Sequence, residues 1–107
     1  MGADHQVIWS DGAADDLANI IRYIHRENPA AARDTLSRIR ARAYKIGKLP
    51  LQGRLVPELH AQGIDNYREI IVAPWRIIYR ISQEQLFVVA VFDSRRNLED
   101  VLLDKLT

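Results

Sequence analysis

Residues 67–96 read YREIIVAPWRIIYRISQEQLFVVAVFDSRR, and the periodicity of this stretch decides the fold. Trp75, Ile77, Tyr79 and Ile81 alternate with Arg76, Ile78 and Arg80. That two-residue repeat describes a strand with one apolar face and one arginine-rich face. Pro74 separates it from an earlier strand over Tyr67 to Ala73, and residues 82–85 predict the turn that follows. Leu86 to Phe92 is then an almost unbroken apolar run, the composition of a strand central in a sheet.

Upstream the period changes to that of helices. Leu17, Ile20, Ile21 and Ile24 form one stripe of a helix over about Gly12 to Glu27, capped by Ser10 or Asp11. Asp15 and Asp16 stand near its positive end. Asn28-Pro29 punctuates the chain, with Asn as a cap and Pro at the first helical position. A second helix follows with Ala32, Leu36, Ile39, Ala43 and Ile46 inward. Gly47 is expected to close it in a left-handed conformation, and Pro50 prevents its resumption. Two stripes so closely joined predict an antiparallel helical hairpin.

His5 to Trp9 is a short β-prone segment, and residues 51–66 are irregular with room for one strand near Arg54 to Leu59. Asn97 is the expected cap of a last helix that reaches Leu106, with Leu98, Val101, Leu102 and Leu106 inward. The predicted class is α+β, in a single domain over residues 1–107. It comprises an N-terminal strand, a helical hairpin, a three- to four-stranded antiparallel sheet and a short C-terminal helix. The hairpin must cover one sheet face, because neither element buries its stripe alone.

Composition narrows the function. The chain has no cysteine, which excludes disulfides, thiol nucleophiles and cysteine-ligated zinc. Without a signal-like start or a membrane-length apolar run, a cytoplasmic protein with no membrane partner is expected. The overall charge is only +1, yet residues 33–54 carry seven cations and one acid, whereas residues 1–32 sum to −3. Such asymmetry suits either an anionic partner or a solvated helix face.

Three groups of residues resemble the RelE/ParE toxin superfamily, and its ParE-like branch in particular. They are Trp9-Ser10 with Ala14, Asp16-Leu17 and Tyr23-Ile24; Asn28-Pro29 with Ala31 and Ala32; and Tyr67-Arg68-Glu69 through Arg76-Ile77-Ile78-Tyr79-Arg80-Ile81 to Phe92-Asp93-Ser94-Arg95-Arg96. The third is the most specific, because its pieces keep the family's order and spacing. The resemblance implies a type II toxin held inactive by a cognate antitoxin, ParD-like for this branch, in a toxin–antitoxin hetero-oligomer. It also implies one of two targets. ParE-like members inhibit DNA gyrase, while RelE-like members are ribosome-dependent mRNA endoribonucleases.

A nuclease that uses the 2′-hydroxyl of its substrate needs a base, an acid and cations for the developing phosphorane charge. Arg68, Arg76, Arg80, Arg95 and Arg96 offer cations, and Tyr67 and Tyr79 offer a proton relay, Tyr79 unless it packs in the core with Trp75, Ile77 and Ile81. The acid and base are not evident. No Tyr or His follows Phe92, and Asp93 stands where many relatives carry histidine. His5, His25 and His60 are scattered, with no metal-ligand spacing, so neither metal nor cofactor is expected.

The favoured expectation is therefore a protein that acts by binding DNA gyrase or its DNA complex. A non-toxic antitoxin- or nucleic-acid-binding module, carried by the basic second helix, is a further alternative. Arg38, Arg42, Arg68, Arg76, Arg80, Arg95 and Arg96 are the candidate partner-binding residues, and Arg76, Arg80 and Arg95 or Arg96 are expected at one end of one face. The competing structural roles are cross-strand pairing of Arg76 and Arg80 with Glu69 or Asp93, and of Arg95 and Arg96 with Glu99 and Asp100.

Overall fold

The computed structural model describes residues 4–106. The chain opens with β1 (Gln6–Trp9), followed by α1 (Asp11–Glu27) and α2 (Pro29–Lys48). A connecting region holds β2 (Arg54–Leu55) and the short α3 (Pro57–His60). Then come β3 (Tyr67–Val72), β4 (Trp75–Ser82), β5 (Gln85–Asp93) and α4 (Leu98–Leu106). The capping chemistry read from the sequence is in place. Ser10 Oγ accepts from Ala13 N, Asn28 Oδ1 from Ala31 N, and Asn97 Oδ1 from Asp100 N. Each cap takes up an N–H that the first helical turn leaves without a partner.

The strands form one sheet in the order β1-β5-β4-β3-β2. The predicted antiparallel strands pair as expected, but the sheet has five strands and is mixed, because β1 lies parallel to β5. A four-residue strand carries no mark of its partner's direction; α1 and α2 supply the crossover that a parallel pair requires.

The helical hairpin covers one face, where Leu17, Ile39, Ile46, Ile77, Tyr79, Leu86 and Val88 make the larger core. The opposite face is also covered. Val56, Ile78, Ala90, Phe92, Leu98 and Val101 form a second core beneath α4. Alternation along β4 therefore holds, while the arginine face faces protein over much of its length. In α4, Leu98 and Val101 point inward, whereas Leu102 and Leu103 are exposed. The expected inward placement of Leu106 lies outside the described side chains.

A bulge joins the two cores. Ile78 pairs with Ala90 but Tyr79 pairs with Val88, so Val89 is the extra residue of β5. This slip places both Val88 and Val91 in the larger core. Since β1 ends at Trp9 opposite Val88, the Val91 N–H has no strand to meet, and Asp16 of α1 accepts its hydrogen bond at 3.0 Å.

Gly47 departs from its expected role. It lies inside α2, and among the described glycines only Gly63 has positive φ. Its lack of a side chain serves a close approach instead, since a Cβ there would lie 2.8 Å from both the His5 carbonyl oxygen and Val7 Cγ2. Gly→Ala inside a helix ordinarily stabilises by up to about 1 kcal/mol. Here the sign should reverse: Gly47→Ala is expected to cost about 1–3 kcal/mol in denaturant titration, because β1 must move away from α2.

Candidate functional site

The chemistry-bearing residues of β3 and β4 converge on one buried cation. Arg76 is 5% exposed and Glu69 1% exposed. Arg76 Nε donates to Glu69 Oε1 at 2.9 Å, and its Nη1 and Nη2 donate to the two oxygens of Glu58, both at 2.8 Å. Arg54 Nε donates to the other oxygen of Glu69 at 2.6 Å. Glu58 Oε2 also accepts from Leu98 N at 2.8 Å, the first amide of α4. The planar guanidinium suits this arrangement, meeting one carboxylate through both terminal nitrogens while packing 4.9 Å from the Phe92 ring centre. The Arg76 hydrogen bonds hold the Glu58 carboxyl at about 2, well below the usual carboxylate range, with the Leu98 amide adding to the effect.

Cross-strand pairing was thus the correct reading for Arg76 and Glu69, and Glu58 is the partner that the sequence did not reveal. Its only local signal is the Pro57-Glu58 pair at the start of α3. Nothing in the sequence links that turn to β4.

The expected convergence of Arg76, Arg80 and Arg95 or Arg96 does not occur. Arg76 pairs across with Ile71 and Phe92, whereas Arg80 pairs with Tyr67 and Phe87. Four residues of strand separate them by about 13 Å. Arg80 is half-buried, with its guanidinium 4.5 Å from the Phe87 ring centre. Arg95 lies at the Arg76 end and is exposed, bonded to Asp93 rather than to Glu99 or Asp100. The Arg95 side chain and backbone amide keep the Asp93 carboxyl near 2. Arg96 is exposed there too, and its carbonyl accepts a 3.4 Å bond from Arg76.

Arg68 sits opposite Tyr79 and donates to the Gly53 carbonyl at 2.7 Å. Tyr79 is 1% exposed; its hydroxyl donates to the Pro50 carbonyl at 2.7 Å and accepts from Gly53 N at 3.0 Å. Burial pushes this phenol's pKa up. The residue tethers the connecting region to the core, and its proton is already committed. On α2, Arg38 pairs with Asp34 and is exposed, while Arg42 is half-buried. His60 Nδ1 lies 2.6 Å from Asp65, His25 is exposed, and no group of three or more potential metal ligands occurs among the described residues.

Two open grooves flank this framework. One, of about 400 Å³, runs between α4, the sheet and the connecting region, over Leu59, Ile64, Tyr67, Val89 and Leu102. The other, of about 500 Å³, lies between α1 and α2, with Ala14, Ala18, Ile21 and Leu36 below and Arg22 and Arg40 among its lining residues.

A helical hairpin on one face of a mixed five-stranded sheet and a short C-terminal helix on the other define a small α+β fold. The family model described as the ParE toxin of the type II toxin–antitoxin system, parDE, matches residues 7–98. The chain belongs to that family, and so to a system in which an antitoxin is the toxin's partner. It is 27% identical over 94 residues to Toxin ParE3 of Caulobacter vibrioides, covering 87% of this chain and 90% of the relative. Its fold matches a solved structure of the chromosomal ParDE system from P. aeruginosa, with a TM-score of 0.68 at 16% identity. That match covers 83% of this chain and 95% of the solved one.

Glu58 sets a pH dependence. With its pKa lowered from an ordinary 4.5 to about 2, its contribution is complete above pH 4.5 and lost as pH falls towards 2. Allowing for solvent screening, that contribution is about 1–2 kcal/mol. Glu58→Gln should destabilise the protein by this amount at pH 7, and should flatten the fall in melting temperature between pH 4.5 and 2.

Proposed function

We propose that this toxin inhibits DNA gyrase by binding the enzyme or its DNA complex, that it blocks replication, and that a ParD-like antitoxin neutralises it. Family membership supports this reading. The observation that carries it over RNA cleavage is how the candidate catalytic groups are used. Arg76 is enclosed by two carboxylates, and the Tyr79 hydroxyl is bonded on both sides by backbone. A RelE-like reaction needs a cation and a proton donor free to meet a phosphate. Recruiting these two would dismantle the sheet's polar interior.

The chain acts as one domain, in the cytoplasm, where gyrase works. Arg38, Arg95 and Arg96 are exposed and Arg42, Arg68 and Arg80 half-buried, and these are the arginines that would meet a partner. Arg76 contributes through the framework rather than by touch. An antitoxin segment would meet the exposed guanidinium groups with carboxylates, and each such contact strengthens as water is excluded.

Purified, antitoxin-free protein should abolish gyrase supercoiling and accumulate cleaved DNA, and the antitoxin should reverse both effects. Arg80→Gln with Arg95→Gln should weaken inhibition about tenfold, equivalent to about 1.4 kcal/mol of binding. Tyr79→Phe should melt lower yet inhibit normally per folded molecule. Folded protein that leaves gyrase untouched but cuts mRNA on translating ribosomes would replace this function with the endoribonuclease.

A further inference from the structure

Helix α2 carries more positive charge than any other element among the described residues. Its twenty residues carry six cations and one carboxylate, Asp34. The buried side is apolar or small, with Ala32, Thr35, Ile39, Ala43 and Ile46 facing the sheet. The charge is therefore displayed outward. Arg33 and Arg40, seven residues apart, lie within about 20° of each other around the helix and about 10 Å apart along it. Lys45 stands about 8 Å further on and about 140° around the helix from Arg40, so the arginines and the lysine edge opposite sides of the solvent face. All three are exposed, and none has an ion-pair partner among the described residues. By contrast Arg38 is taken by Asp34, and Lys48 by Asp4.

We propose that the solvent face of α2 binds the phosphate backbone of duplex DNA through Arg33, Arg40 and Lys45. Over the roughly 18 Å from Arg33 to Lys45, duplex DNA presents about ten phosphates on its two strands, so cations on both edges of a straight helix can each meet phosphate. A single strand fits less well, because its binders supply several aromatic platforms for bases and only Tyr44 is exposed on this face. An acidic peptide fits less well too, since it needs an apolar anchor to offset its ordering. The nearby groove between α1 and α2 includes Arg40 among its lining residues but not Arg33 or Lys45. The duplex arrives already ordered and uniformly charged. This surface goes beyond gyrase binding and does not depend on it. If both hold, α2 is where the toxin grips the DNA that gyrase carries.

The test is fluorescence anisotropy of the full chain with a labelled mixed-sequence duplex across a range of KCl concentrations, without gyrase. Three phosphate contacts predict a slope of log K against log salt of about −2.7. Arg33→Gln with Arg40→Gln and Lys45→Gln should weaken binding at least tenfold at low salt and flatten the slope, whereas Arg80→Gln should leave both unchanged. Arg33→Lys with Arg40→Lys preserves charge and should retain the slope, which separates phosphate contact from loss of fold. Wild-type affinity and slope in the triple variant would overturn the proposal. Tighter binding of polyglutamate than of the duplex would overturn it equally. Because gyrase is absent, failure here leaves gyrase inhibition standing, and failure to inhibit gyrase leaves duplex binding standing.

Discussion

Arg76 holds a full positive charge between a five-stranded sheet and a C-terminal helix, and most of the second face is organised around it. A charge so placed is tolerable only if its attraction to carboxylates and its hydrogen bonds offset the loss of water. Glu69 answers from the neighbouring strand, and Glu58 answers from the connecting region. Glu58 then spends its remaining capacity on the Leu98 amide, which fixes where α4 begins. One guanidinium thus links β3, β4, α3 and α4. An apolar cluster of equal volume could hold these elements as firmly, but it would not specify their register. Hydrogen-bond direction constrains it here, because the guanidinium nitrogens are shared between Glu58, Glu69 and the Arg96 carbonyl.

The second link runs through Tyr79 on the other face. Its ring belongs to the larger core, and its hydroxyl reaches back to Pro50 and Gly53, closing the connecting region onto the sheet. Gly53 must be glycine for this closure, since a Cβ would collide with the tyrosine hydroxyl and approach the Glu69 carbonyl to 2.7 Å. The same carbonyl belongs to the residue whose side chain holds Arg76. Tyrosine, glycine and the ion-pair network therefore meet around Glu69, and the two faces of the sheet are mechanically joined.

Much of this architecture was legible because simple periodicities carried it. Alternation along Trp75 to Ile81 gave β4 its two faces, three- and four-residue spacing gave α1 and α2, and Ser10, Asn28 and Asn97 announced their helix starts. What escaped has a common physical cause, because it depends on contacts remote in sequence. The parallel pairing of β1, the four residues of α3 and the partnership of Glu58 with Arg76 all belong here. The bulge at Val89 was hidden for another reason: Val88, Val89 and Ala90 are all apolar, so a slip in facing leaves no trace. Gly47 was read for its φ when its meaning is the approach of His5 and Val7. The arginines of the site were recognised as a set, but their number overstated the available surface, because Arg76 turned out to be interior.

That last distinction reshapes where recognition can take place. A cation on a strand of a small sheet is flanked on both sides by other strands, so a carboxylate one pairing away can capture it, as Glu69 captures Arg76. A cation on the outer face of a hairpin helix pairs first with its own i±3 and i±4 neighbours. Among the described residues only Lys48, at the helix end, reaches a carboxylate outside α2, that of Asp4. On α2 a single aspartate stands among six cations, so local pairing saturates after Arg38. Exposed positive charge is accordingly divided between the sheet end, at Arg95 and Arg96, and the solvent side of α2.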